Sequence, residues 1–266
     1  DGNKTRLSGS VSTSFLSRKA LFEGPIPGGS FILTARKSYN YKMLNKFLNN
    51  KNVPLDFYDL GGKINISDPD FLKGGKMVIQ GFMSKDVLDN HDLQIEDLDW
   101  SNKVLGFKWL QVTESPIYFE IFLSYSNFIG NVRPNLSAAK PKSNEVVDYS
   151  WDTNVNYMYD SKDEIGVGVQ IKSINTKLSL QNKKGLNSKV ETHGTNISMF
   201  AKYKLLRFNN FGLDFGTRVN FTSLTQSAQN SFLFEPRISL TYVVTPSLSL
   251  KAAWGIYSQE MTTLSD

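Results

Sequence analysis

From Phe232 to Gln259, apolar and polar residues alternate with a period of two. Pro236, Ile238, Leu240 and Tyr242 share one side, and Arg237, Ser239 and Thr241 share the other. After a tight Thr245-Pro246-Ser247 turn, Leu248, Leu250, Ala252, Trp254 and Ile256 alternate with Ser249, Lys251, Gly255 and Tyr257. Period two puts successive side chains on opposite faces of a strand, so the segment predicts an antiparallel hairpin with one apolar and one polar face. Each arm runs about twelve residues; at roughly 3.3 Å per residue and a tilt near 45° that spans about 28 Å, close to the apolar band of an outer-membrane β-barrel. Ordinary soluble strands are shorter, about five or six residues.

The same alternation recurs more loosely upstream and predicts strands over residues 6–15, 19–24, 30–39, 56–66, 76–84, 102–112, 117–128, 148–159, 165–175, 196–205 and 211–221. The clearest is 117–128, where Ile117, Phe119, Ile121, Leu123 and Tyr125 oppose Glu120, Ser124 and Ser126. Residues 40–54 carry Met43, Leu44, Phe47 and Leu48 at helical spacing, which predicts a short surface helix. The connections segregate. PIPGG, TESP, SKDE, RFNN and TPS are tight turns, whereas 40–54, 86–99, 130–147 and 176–191 are long. Outer-membrane barrels keep short turns on the periplasmic side and long loops outside, and a soluble sandwich has no reason to do so.

Composition bears on this only by exclusion. The 266 residues are 40% hydrophobic, with a mean hydropathy of −0.30. That looks soluble, yet a membrane barrel has the same balance, because only alternate residues meet lipid. No run of about eighteen apolar residues offers a transmembrane helix. There is no cysteine, hence no disulfide scaffold and no thiolate metal site. The net charge of +5 is spread along the chain rather than gathered in a stripe, so nucleic acid is not an expected partner. The chain opens at Asp1 without a basic and apolar leader, which places any secretory signal upstream or already removed.

Two segments resemble TonB-dependent outer-membrane receptors. One is the last hairpin, with its Glu235-Pro236-Arg237 start, Val244-Thr245-Pro246 turn and Leu250-Lys251-Ala252-Ala253-Trp254-Gly255 ascent. The other is FEGPIPGGSFILTARKSY, from Phe22 to Tyr39, which looks like the place where the plug has ended and the barrel begins. The resemblance implies an all-β, antiparallel transmembrane β-barrel of about 22 strands around an N-terminal plug. About thirteen strands are counted here, so the expectation is an incomplete barrel, an open curved sheet, with residues 1–266 one partial barrel domain and the plug and closing strands absent. The implied location is the outer membrane. The implied partners are outer-membrane lipid, the protein's own plug, a TonB-type energy-coupling protein and an imported small-molecule ligand: a metal chelate, vitamin or glycan. The alternatives are a plug-less porin or adhesin barrel and a soluble all-β interaction domain.

Candidate chemistry is sparse. The lumen-facing charges Arg36, Lys63, Lys108, Glu120, Asp214, Arg218, Arg237 and Lys251 are the candidate contacts for a plug or a passing ligand. The plainer alternative is that they pair with one another across strands and stiffen the wall. Asp86, Asp89, Asp92, Glu96, Asp97 and Asp99 lack the glycine and spacing of a calcium loop and read as a solvated outer loop. Tyr39, Tyr58, Trp109, Tyr125, Tyr157, Tyr203, Tyr242 and Trp254 fall on outward faces, as an interfacial girdle requires; in a soluble protein they would be core. His91 and His193 fall in expected loops, and no GxSxG or HExxH motif is present, so no enzyme and no cofactor are expected.

Overall fold

The computed structural model describes residues 2–39, 55–67, 72–89, 96–133, 142–159, 162–181, 186–223 and 232–258. Among them are thirteen strands and no helix: β1 (Ser8–Thr13), β2 (Ser17–Ile26), β3 (Gly29–Ser38), β4 (Leu55–Ile66), β5 (Gly75–Leu88), β6 (Asp97–Val112), β7 (Ile117–Arg133), β8 (Lys142–Tyr159), β9 (Asp163–Gln181), β10 (Asn187–Leu205), β11 (Phe211–Thr222), β12 (Phe232–Thr245) and β13 (Leu248–Gly255). The strand order follows the sequence from β1 to β13, up and down in one antiparallel sheet, with β1 and β13 at the ends of the order. The helix expected within 40–54 lies outside the described residues.

Two sets of residues pack chiefly among themselves, one of Asp1–Phe107, Ser124–Tyr149 and Ile174–Thr192, the other of Lys108–Leu123, Ser150–Ser173 and His193–Asp266. In the first, the register of β1 to β5 sorts residues into rows. Ser12, Lys19, Arg36, Asp59 and Ser84 are successive cross-strand partners, and one position away so are Val11, Ala20, Ala35, Leu60 and Met83. In the second set, Lys202, Gly216, Arg237 and Gly255 form one row, and Tyr203, Phe215, Ile238 and Trp254 the next. A slip of one residue in any strand would exchange its faces, so matching apolar rows select this register.

The apolar face is the exposed one. Among the described residues only Leu72 and Ile174 are buried hydrophobics, while Ser30, Ser38, Asn65, Asn156, Asp163, Ser198, Asn220, Thr222 and Glu235 are buried. Trp254 is 62% exposed, Val11 79% and Leu33 50%. A water-soluble fold has the opposite arrangement, and a transmembrane strand wall has this one. Of the expected girdle, Tyr58, Tyr157, Tyr242 and Trp254 are exposed, whereas Tyr39, Trp109, Tyr125 and Tyr203 are half-buried.

Several strands outrun their sequence signal. β5 continues through Leu88 and β6 begins at Asp97, so the connection expected over 86–99 contracts to 89–96. The one expected over 130–147 contracts to 134–141, and that over 176–191 to 182–186. His193, expected in a loop, lies within β10. The reason is physical: β7, at 17 residues, exceeds the roughly 9–11 that cross an apolar band. In a strand that outruns such a band both faces of the excess length would meet water, so pairing can continue where alternation is no longer required. β7 shows the change on one face, from Ile117, Phe119, Ile121, Leu123 and Tyr125 to Asn127, Ile129, Asn131 and Arg133, polar but for Ile129.

Turns contract as well. EGPIPGG is a turn only at Pro27-Gly28; Glu23 to Ile26 belongs to β2, and Gly28 takes a φ of 68°, which the missing side chain permits. Thr245 pairs with Leu248 beyond a register shift at Val243/Thr245, leaving Pro246-Ser247 as the turn.

Candidate functional site

The polar face of β8 to β12 carries a connected ladder of side chains. Its members come from alternate positions of successive strands, so the period that makes the sheet also aligns them. The Gln170 Nε2 of β9 donates to Asp152 Oδ1 of β8, and Gln170 Oε1 accepts from Arg218 Nη2 of β11 at 2.6 Å. Arg218 also donates to Ser198 Oγ at 2.8 Å and, through Nε, to Asn220 Oδ1 at 2.8 Å. Ser198 Oγ donates to Asn220 Oδ1 at 2.6 Å, and Asn220 Nδ2 donates to Glu235 Oε1 at 2.8 Å. Glu235, 3% exposed, accepts further bonds from Arg237 Nη2 at 2.6 Å, Ser258 N at 3.2 Å and the Ser258 hydroxyl. The sequence of charges is Asp152, Arg218, Glu235, Arg237: alternating in sign, each acid beside a donor. A buried carboxylate needs such partners to stay ionised.

A second cluster flanks the ladder. Glu164 pairs with Lys202 at 2.8 Å and Lys204 at 3.4 Å, and accepts from the Tyr118 hydroxyl at 3.4 Å. Gly166 makes this possible, because a Cβ there would lie 2.4 Å from Lys202 Cε and 2.7 Å from Asn156 Oδ1. Between β10, β11 and β12 the small Gly216 leaves a concavity of about 390 Å³, lined mainly by polar-face residues that include Phe200, Lys202, Asp214, Arg218, Arg237 and Tyr257. Arg237 lies 4.5 Å from the Tyr257 ring centroid. Three cations, Lys202, Arg218 and Arg237, one acid, Asp214, and three aromatic rings, Phe200, Trp254 and Tyr257, surround the concavity, a mixed set that suits a polar surface rich in hydrogen-bond acceptors.

On the apolar side, at the end of the short turns, Asp163 is 1% exposed and accepts from Tyr203 Oη at 2.6 Å, Leu206 N at 3.0 Å and Arg207 Nε at 2.9 Å, with Arg207 Nη2 a further donor. The Arg207 bonds, then the Tyr203 bond, hold the Asp163 carboxyl well below the usual carboxylate range against its burial. Arg207 also lies over the Tyr159 ring at 5.9 Å. This cluster staples the turn before β9 to the turn after β10.

The eight candidates separate. Asp214, Arg218 and Arg237 meet at the concavity. Lys108 and Glu120 pair with each other at 2.6 Å. Arg36 pairs with Asp59 at 2.6 Å and lies 5.0 Å from the Phe57 ring centroid. Lys63 faces Ile32 and Gln80 across the strands, and Lys251 faces Thr241. Of the acidic stretch, Asp89 and Asp99 both pair with Arg133, at 2.9 and 2.8 Å, and Asp92 lies outside the described residues, as does His91. Glu235, Gln170, Asn220 and Asp152 were not among the candidates. The signal for Glu235 was present, since it shares the polar parity of Arg237; the neutral members carry no charge to draw notice.

No family model matches the sequence, and no curated protein matches it. Solved structures do match. The ferric-catecholate import receptor Fiu from E. coli K12 superposes with a TM-score of 0.72 at 8% identity, over 98% of this chain and 56% of that one. The siderophore receptor PirA from Pseudomonas aeruginosa gives 0.65 at 13%, over 95% and 43%. The copper transporter OprC gives 0.62 at 12%, over 96% and 47%. These neighbours are TonB-dependent receptors, transport receptors and not enzymes, so the resemblance of the two sequence segments holds at the level of the fold. The chain spans about half the length of the receptors it matches.

Proposed function

We propose that this chain is part of the barrel of an outer-membrane importer of the TonB-dependent type, in which residues 1–266 supply wall and outer connections for uptake of a scarce small molecule. One observation carries the reading: the sheet that superposes on such receptors is turned inside out relative to a soluble fold, with Trp254, Leu33 and Val11 exposed and Glu235, Asn220 and Ser198 buried. In this reading the apolar face meets lipid, and the ladder and concavity face the interior, where a plug from elsewhere in the protein would be held. Strands beyond β1 and β13 would close the barrel, because an open edge in lipid leaves backbone groups unpaired at several kcal/mol each. A coupling protein of the inner membrane would supply the energy, and a metal chelate, vitamin or glycan would be the cargo.

The test is uptake by cells that make the full-length protein, compared with cells lacking it, for a panel of labelled metal chelates, vitamins and glycans. The expected result is protein in the outer-membrane fraction and uptake of one class that stops when the inner-membrane proton gradient is collapsed. Uptake that persists without the gradient would instead favour a passive barrel, and protein in the soluble fraction would end the membrane reading.

A further inference from the structure

On the apolar face of β1 to β5, one cross-strand row departs from the rest. Thr13, Arg18, Lys37, Tyr58 and Lys85 are successive register partners, so three cations and a tyrosine lie side by side. The row next to it, toward the Pro27-Gly28 turn, is Val11, Ala20, Ala35, Leu60 and Met83, and the row after that contains Phe22 and Leu33. Cations thus border a continuous apolar surface. Because Ala20 and Ala35 are small and stand between Val11 and Leu60, the surface is notched there: a groove of about 260 Å³ is lined by Val11, Ala20, Ala35 and Leu60, with Lys19 and Arg36 also on its wall, and is topped by Arg18, Lys37 and Tyr58.

From the Pro27-Gly28 turn to Lys37, β3 runs about 30 Å at roughly 3.3 Å per residue, which at the usual barrel tilt covers about 23 Å of membrane depth. That is close to the roughly 25 Å of an outer-membrane apolar band, so the basic row falls at the headgroup level on the side away from the short turns. Arg18 and Lys85 make no ion pair among the described residues. Lys37 pairs with Asp56 at 2.5 Å, and Asp56 also accepts from Ser38 Oγ at 2.6 Å, so the row keeps a positive excess after its one acid is counted. Arginine offers a fork of donors to phosphate oxygens, and lysine adds a point charge beside it.

We propose that the apolar face of β1 to β4 holds an anionic lipid, its headgroup phosphate between Arg18 and Lys37 and an acyl chain in the groove over Ala20 and Ala35. This rests on the membrane reading above and goes beyond it: lipid covers any such face, but a phosphate-matched row over a notch selects one lipid class. Tyr58 stands in the row between Lys37 and Lys85 as an interfacial ring.

The experiment uses the full-length protein in phosphatidylcholine nanodiscs doped with phosphatidylglycerol, with retained lipids identified by native mass spectrometry. Phosphatidylglycerol should be retained over phosphatidylcholine. The double substitution Arg18→Gln/Lys37→Gln should lower that retention about thirtyfold, roughly fivefold per cation. Lys63→Gln removes the same charge from the polar face of β4, outside the groove's lining, and should leave retention unchanged. Ala35→Leu fills the notch without altering charge and should also release the lipid. A protein that enters the nanodisc but holds both lipids alike, or a double variant that retains phosphatidylglycerol as well as the parent, overturns this proposal alone. Displacement of the lipid by equimolar inorganic phosphate would make the row a bare phosphate site and overturn the lipid assignment. Failure to enter the nanodisc overturns the membrane reading and this inference with it.

Discussion

The polar faces of two regions are built from the same alternation and held together differently. Across β1 to β5, Arg36 meets Asp59 as a separate pair, with the Arg36 side chain half exposed, and Ser30 and Asn65, cross-strand partners that are fully buried, make no side-chain hydrogen bond. From β8 to β12, Asp152, Gln170, Arg218, Ser198, Asn220, Glu235 and Arg237 join into one ladder in which each buried polar atom of Asn220 and Glu235 is occupied. An exposed pair contributes about 0–1 kcal/mol, because water competes for both ends. A buried acceptor that loses its donors exposes a desolvation cost of about 1–3 kcal/mol. Stability on the polar side is therefore concentrated in the second region, and the first is the softer of the two.

The largest expected effect lies off the polar face altogether and is common to both regions. Val167→Arg places a charge on the apolar face and should cost about 2–4 kcal/mol when the full-length protein folds into lipid vesicles, while Gln170→Arg, on the polar face of the same strand, should cost much less. Equal costs by urea titration would mean that the two faces do not meet lipid and water.

Next in size is the difference between the regions. Glu235→Gln keeps the shape but removes the charge that Arg237, Asn220 and Ser258 surround, and should cost about 1–3 kcal/mol. Arg36→Gln breaks the exposed pair with Asp59 and should cost about 0–1 kcal/mol. Comparable urea midpoints for the two variants would erase the distinction between ladder and separate pairs.

The smallest effect at neutral pH is the acid sensitivity of the staple at Asp163. Its folded value is depressed by Arg207 and Tyr203, so its contribution is fully present above the unfolded value of about 3.9 and is lost as pH falls through the folded one. Thermal unfolding followed down the acid range should therefore show no pH dependence from this site above about pH 5, where its stabilisation is complete, and a growing loss below about pH 4. Asp163→Asn should flatten that part of the profile; an unchanged acid slope would show that another carboxylate sets it.

Alternation by itself determined the strands, their faces and their order of connection, because a side-chain period of two is a local property that needs no knowledge of neighbours. It located the start and the turn of the last hairpin to within a residue, though β13 ends at Gly255 where alternation ran on toward Gln259, and it placed Trp254, Leu240 and Ile238 on the exposed side, where the sheet has them. It lost the strand ends at Leu88, Asp97, Arg133 and Lys142, because past the apolar band both faces are wet and hydrophobicity no longer marks the pairing. Charge drew notice to Arg218 and Arg237 but not to Gln170, Ser198 and Asn220, whose part in the ladder exists only once β9, β10 and β11 are in register. The basic row of Arg18, Lys37 and Lys85 has the same origin. These residues are scattered over the sequence, and cross-strand pairing alone makes them neighbours, since register is decided by backbone hydrogen bonds summed over whole strands and not by any residue within the row.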